Sequence, residues 1–382
     1  MGNQMGLVDA HGDLWKRLKK STSPAFSFIR LKKSLPLYNS CCREMVSFLA
    51  EQSTNNTEID CVDIIQRCAI NILGVVGFGM DLNTFKDKNT DFKKHADNLL
   101  DVFRFTMLTF LPKVMSFFKV PIFSEKASKF IEKVVENNIK SRENELTERK
   151  DILGTLIKSH KDNPEDMTEE ILSKICFHFL FDGYGSMAEA IICVLYMIAA
   201  HPEVEERLRE EIDAALEDKD DPNGDLTEDD INKLCYLDMV FKETLRIATT
   251  VPGFIPRQCT QTWKVPNSDL VIPVGTVVVI PVIGLQNDPQ YWENPEEFVP
   301  ERFSEDNKKK VKSGTYFPFG QGPKMCLGNN FARIETKFII INLLRNFHLI
   351  GGEKLSKHLE LDPDGFMMPN GGLKLRFKER DI

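Results

Sequence analysis

Residues 168 to 200 set the strongest limit on what this chain can become. Thr168 is a helix cap, Glu169 and Glu170 fall in the first turn where the helix dipole favours carboxylates, and the apolar run continues to Ala200. A helix of about 33 residues, at roughly 1.5 Å each, is near 50 Å long. It spans a whole domain, so the other elements must pack around it. Inside it lies Asp182-Gly183-Tyr184-Gly185-Ser186-Met187, with two glycines that each cost about 1 kcal/mol against alanine. A helix carries that penalty for close packing or to let a ligand reach its backbone. No uncharged apolar run reaches the roughly 18 to 20 residues of a membrane span, and no signal-peptide or anchor pattern opens the chain.

A second constraint lies in Tyr316 to Glu335, YFPFGQGPKMCLGNNFARIE. Cys326 sits among Gly320, Gly322 and Gly328, and an apolar-periodic run follows it: Phe331, Ile334, Phe338, Ile341 and Leu344. The glycines give a turn whose amides approach a ligand closely, and the helix after it points its amide end at the sulfur. That setting favours a thiolate. Such a group is either a catalytic nucleophile or the single axial ligand of a metal whose other ligands come from a cofactor; a buried structural thiol is the plain alternative. A protein-built metal cage needs further cysteines or histidines nearby. None lies within 60 residues before Cys326, and only His348 and His358 come after it.

The chain has 382 residues, enough for one large core or two smaller ones, and its formal charge of -8 argues against nucleic-acid binding. Nine scattered cysteines form no disulfide framework and fit a reducing compartment; Cys41 and Cys42 read as helix residues. Near the start, Trp15, Lys16, Arg17, Lys19 and Lys20 form a basic segment in which Trp15 and Lys19, four apart, share a helical face. Helices are expected from Leu35 to Phe85 and over Ala127 to Lys150. The sequon Asn55-Asn56-Thr57 is a common chance match. Phe103, Phe105, Phe110, Phe117, Phe118 and Phe123 crowd one stretch. Thr227 with Asp230 forms a capping box opening a helix that carries Glu243 and Arg246, an ordinary i, i+3 pair on its own. Short strands are predicted at Thr262 to Val265, Leu270 to Ile272 and Thr276 to Ile280, and a hairpin around Asn370-Gly371-Gly372 within Leu359 to Phe377. No G-x-G-x-x-G follows a strand, since the sixth place of the run from Gly320 is Met325.

The segment Phe319-Gly320-Gln321-Gly322-Pro323-Lys324-Met325-Cys326-Leu327-Gly328 resembles the haem-binding loop of the cytochrome P450 family, the haem-thiolate monooxygenases, with Lys324 where the family usually has Arg. Further matches are Pro300-Glu301-Arg302-Phe303, the Glu243/Arg246 pair, Asp288-Pro289 with Trp292, Pro295 and Phe298, and GDLWKRLKKSTSPAFS near the start. The resemblance implies a mostly α fold with small β-sheets: one P450 domain over residues 1 to 382, partial at its amino end, where relatives carry about a hundred more residues and an anchor. It implies haem b, with Cys326 as iron ligand and Trp15, Lys19, Arg257 and Lys324 as cofactor-binding residues. Glu243, Arg246 and Arg302 become a buried structural network. Ser186 stands in the place of the family's proton-delivering Thr, Gly185 in the place of its acid, and Asp182 one turn earlier is the substitute carboxylate. Gln286 stands where many relatives have a propionate-side His. Thr250, Val251, Phe366 and Met367 become substrate-facing positions, and the phenylalanine-rich stretch a channel lining.

The implied activity is insertion of one oxygen atom of O2 into a hydrophobic organic substrate. Electrons come from a separate NADPH-cytochrome P450 reductase, with cytochrome b5 as a further donor, and the implied docking face carries Lys16, Arg17 and Lys20. Membrane association at the cytosolic face of the endoplasmic reticulum belongs to the same resemblance. Two other readings stay open: a reductase-independent peroxide isomerase or dehydratase, which the absent acid at Gly185 permits, and an inactive haem-binding fragment.

Overall fold

A computed structural model of the chain describes residues 7, 10–54, 57–87, 90–99, 104, 107, 111–118, 120–121, 123–143, 151–217, 224–249, 253–352, 355–362 and 368–380. The helices in the first half are α1 (Gly12–Thr22), α2 (Phe28–Leu31), α3 (Leu35–Ser53), α4 (Cys61–Ile72), α5 (Asp91–Asp97), α6 (Pro112–Phe117), α7 (Glu125–Glu143) and α8 (Ile152–Asp162). Then follow α9 (Glu169–Ala200), α10 (Pro202–Leu216), α11 (Glu228–Lys233), α12 (Cys235–Ile247), α13 (Val282–Gln286) and α14 (Asn329–Asn346).

Helix α9 runs 32 residues and opens as expected, with the Thr168 side chain accepting from the Ile171 amide. From Met187 to Ala200 every residue is buried, and α4, α7, α10, α12 and α14 pack around it. Its length and composition would suit a membrane crossing, but 78% of its apolar window is buried inside the protein, as in the core helix of a globular domain. Tyr184 of α9 hydrogen-bonds Asp97 at the end of α5. The capping box forms at α11, Thr227 and Asp230 each bonding the other's amide. One continuous helix was the expectation from Thr227 onward; instead Leu234, with ψ 78°, breaks it, and Glu211 of α10 accepts from the amides of Tyr236 and Leu237 that open α12.

The strands are β1 (Ile59–Asp60), β2 (Ile255–Gln258), β3 (Trp263–Lys264), β4 (Val271–Ile272), β5 (Val277–Ile280), β6 (Phe347–Gly351) and β7 (Lys374–Glu379). β3 to β5 fall where predicted, and β2 pairs antiparallel with β5, placing Arg257 opposite Val278. The carboxyl-terminal hairpin is corrected. Leu361 bridges Pro369, but β7 sits between β1 and β6, with Leu349 opposite Phe377 and Ile59 opposite Leu375. Burial decides the pairing: Leu375 and Phe377 face the core from β7, and β6 and β1 present Phe347, Leu349 and Ile59 to the same core.

Candidate active site

Cys326 lies between two devices the sequence encodes. Gly320 and Gly322 have φ of 75° and 78°, values that disfavour side chains, so the loop turns tightly and the Cys326 amide bonds the Phe319 carbonyl at 2.9 Å. After it, the amides of Gly328 and Asn329, at the opening of α14, lie against the sulfur and favour its charged form. The thiol is solvent-accessible yet ringed by protein. Burial pushes its pKa up, and the carboxylate of Asp182 adds to this, while the two amides and Lys19 pull the other way.

Helix α1 comes to the loop from the other end of the chain. Lys19 Nζ donates to the Pro323 carbonyl and lies 3.5 Å from that of Met325, and Lys324 Nζ reaches the Ala10 carbonyl at 3.4 Å. Both ammonium groups approach the Trp15 ring, at 5.4 Å and 4.8 Å from its centroid. Arg257 on β2 donates to the carbonyl of its neighbour Pro256 at 2.8 Å. Among the described residues no carboxylate pairs with Lys19, Lys324 or Arg257. Their mutual repulsion shows at Lys324, whose pKa is lowered by burial, then by Arg257, then by Lys19. Trp15, Lys19, Lys324, Arg257 and Cys326 are thus brought together, with Asp182 near enough to act on the sulfur.

In α9 the two glycines part company. A Cβ on Gly183 would lie 3.2 Å from Leu73 Cδ1, a packing contact, whereas one on Gly185 would meet nothing within 4 Å. Ser186 sits on the face of Asp182, but its hydroxyl donates to the Asp182 backbone carbonyl at 2.5 Å.

Beneath the loop, Glu243 is fully buried and accepts from Arg246 at 2.8 and 2.9 Å, from Arg302 at 3.1 Å and from the Val299 amide at 3.1 Å. Arg246 also donates to the carbonyls of Gln286, Pro295 and Glu297. Gln286 differs from expectation. It is fully buried away from the cations, donating to the carbonyls of Leu245 and Arg246 and accepting from the Phe317 amide, and so ties the end of α12 to the loop. A lone glutamine between Leu285 and Asn287 gave no sequence signal of that role.

The phenylalanine stretch also divides. Phe123 packs on Phe177 and Phe181 of α9 at 5.6 and 4.9 Å, whereas Phe117 and Phe118 are 81% and 68% exposed. Phe103, Phe105, Phe110, Thr250, Val251, Phe366, Met367 and the sequon's asparagines lie outside the described residues. On the basic face, Lys16 pairs with Asp13 at 3.0 Å and Arg17 with Asp166 at 2.7 Å, leaving Lys20 exposed.

The family profile described as Cytochrome P450 matches residues 1–377. The cockroach Blattella germanica protein Cytochrome P450 6k1 is 32% identical over 91% of this chain and 70% of its own length. Mouse Cytochrome P450 3A13 is 31% identical over 96% of this chain and 74% of its own. Cytochrome P450 9e2, also from Blattella germanica, is 28% identical over 98% and 76%. Match of the profile along nearly the whole length makes the chain a member of the cytochrome P450 family, the haem b oxidoreductases that act as monooxygenases.

Proposed function

We propose that this chain inserts one oxygen atom of O2 into a hydrophobic organic substrate, with Cys326 as the iron ligand and electrons from a separate NADPH-dependent reductase. The observation that carries this reading is a thiol held against the amide end of α14 beside three cations with no carboxylate partner among the described residues. Haem b fits that donor set: a thiolate for its iron and cations for its two propionates. When bound, it supplies the chemistry that activates oxygen for attack on C–H bonds.

The protein's part is binding, orientation and proton handling. The amides of Gly328 and Asn329 hold the sulfur and stabilise its charge. Lys19, Lys324 and Arg257 take the propionates, with Trp15 fixing the two ammonium groups; a lysine at each loop-side place gives a point charge instead of a bidentate fork. The clear space at Gly185 lets a ligand approach the α9 backbone. Ser186 holds a transferable proton at Oγ, and Asp182 at the exposed end of the same face takes protons from solvent. Asp182→Asn with unchanged coupling of electron uptake to product removes Asp182 from this role. Lys16, Arg17 and Lys20 form the face for the reductase and for cytochrome b5. By resemblance to the microsomal type, the protein works at the cytosolic face of the endoplasmic reticulum membrane.

The deciding measurement is the absorbance of the reduced, haem-loaded protein under carbon monoxide. A strongly red-shifted Soret band that disappears in Cys326→Ser is the expected result. Haem with an unshifted band in the parent protein overturns the thiolate assignment. Gly185, where the family has an acid, favours a second reading as a peroxide isomerase or dehydratase. Incorporation of labelled O2 that depends on reduced nicotinamide excludes it.

A further inference from the structure

Glu189 lies three residues after Ser186 and four after Gly185, and α9 buries it to 9% exposure with Oε2 lacking a hydrogen-bond partner among the described residues. An unused carboxyl oxygen inside a protein is costly, and neither an ion pair nor a backbone donor explains this one. Other acids of the interior are employed: the buried Glu243 holds two arginines, the buried Glu205 accepts from Arg209 and the Leu349 amide, and the half-buried Glu211 caps α12. Glu335 is similarly isolated, but it sits in α14 beside Tyr38 and Cys42, away from α9's glycines.

The helix explains what Glu189 faces. Positions 182, 186 and 189 are spaced i, i+4, i+7 and form one stripe, and 185 and 189 are spaced i, i+4. Helical side chains lean toward the amino end, so Glu189 reaches back toward the turn of Gly185 and Ser186. Beside Gly185 the space is clear. Asp182 is exposed, Ser186 half-buried and Glu189 buried, so the stripe runs from solvent into the interior.

We propose that Glu189 is the proton-holding carboxyl of this site, a positioning residue that acts through Ser186 and stands in for the acid absent at Gly185. This rests on the monooxygenase reading above. A change of rotamer brings Glu189 Oε2 to Ser186 Oγ. The O–H bond at Oε2 breaks, its proton arrives at Ser186 Oγ, and that hydroxyl passes its own proton to dioxygen that has taken up electrons from the external donor. Solvent recharges the carboxylate by way of the exposed Asp182 end, and no electrons move within the protein. Ser186 Oγ spends its hydrogen on the Asp182 carbonyl and keeps lone pairs to accept another. Burial pushes Glu189 up to about 8, so it carries its proton at neutral pH. Among the described residues, the group whose titration couples to it is the buried thiol of Cys193, one turn on.

The test begins without turnover. Infrared difference spectra of the full chain should show a protonated-carboxyl band that titrates near pH 8 and is lost in Glu189→Gln. Absence of a band with that midpoint in the parent protein overturns the proposal, whether or not the variant folds. In the haem-loaded protein, Glu189→Gln should keep the carbon monoxide band yet lose about tenfold more electron pairs as hydrogen peroxide, with partial recovery in Glu189→Asp. Gly185→Glu added to Glu189→Gln should restore coupling, which a structural role would not allow. Unchanged coupling and pH profile in Glu189→Gln overturn the proposal with the monooxygenase reading intact. No shifted band in the parent protein removes both together.

Discussion

At the scale of single residues, charge without a partner separates the working groups from the structural ones. Glu243 is as buried as a carboxylate can be, yet its charge is matched; Glu189 is nearly as buried and unmatched. Glu189 therefore links stability to pH. Its ordinary value is 4.5 and its folded value about 8, so between these the folded chain holds a proton that the unfolded chain has released. Stability falls as pH rises through that window, by up to roughly 1.4 kcal/mol per unit, and levels off above it. Thermal melts of Glu189→Gln should show little change near the lower limit and a gain that grows toward the upper one; a constant offset at every pH refutes this. Cys326 stood out in the sequence as a lone cysteine among glycines before a helix, whereas Trp15, Lys19, Lys324 and Arg257 were named only by the resemblance of their segments to the family. Glu189 was not legible, because a lone acid in an apolar run says nothing until its burial is known.

Elements add what spacing cannot. The two glycines of α9 look alike in sequence, but one packs against Leu73 and one faces clear space. In the haem-free chain, Gly185→Ala should stabilise by about 1 kcal/mol, the helix-propensity difference, while Gly183→Ala should gain nothing or lose stability because Leu73 must move. Equal melting temperatures for the two variants would show that neither contact matters. Under the loop, Glu243→Ala leaves the fully buried Arg246 uncompensated, and a loss of about 3–5 kcal/mol is expected, visible as failure to fold or retain haem. A well-folded, haem-loaded variant refutes it. The break at Leu234 and the pairing of β7 with β1 were hidden because each depends on distant partners: Glu211 in one case, Ile59 in the other. Local propensity determined where strands form, and burial determined which strands meet.

For the whole molecule, a net charge of -8 makes the basic face of α1 a local exception. Two of its cations are already paired with Asp13 and Asp166, so Lys20 carries the unmatched charge. Lys20→Glu should slow reductase-supported turnover several-fold at low salt, with the deficit shrinking as ionic strength rises and the carbon monoxide spectrum unchanged. No salt-dependent difference would place the docking face elsewhere. The mostly helical architecture with small sheets was expected from the family resemblance, and the long apolar run of α9 fits it.

Lys19 meets the carbonyl of Pro323 across 304 positions of chain. At roughly 5–20 residues per second, a ribosome delivers the cysteine loop roughly 15–60 s after helix α1 has emerged. During that interval Lys19 and Trp15 wait with no thiol beside them and no turn to close over a ligand. Cofactor loading therefore waits for the cysteine loop, and any shortage of haem is felt after that loop is made, by a protein whose α1 and cysteine loop have yet to find each other.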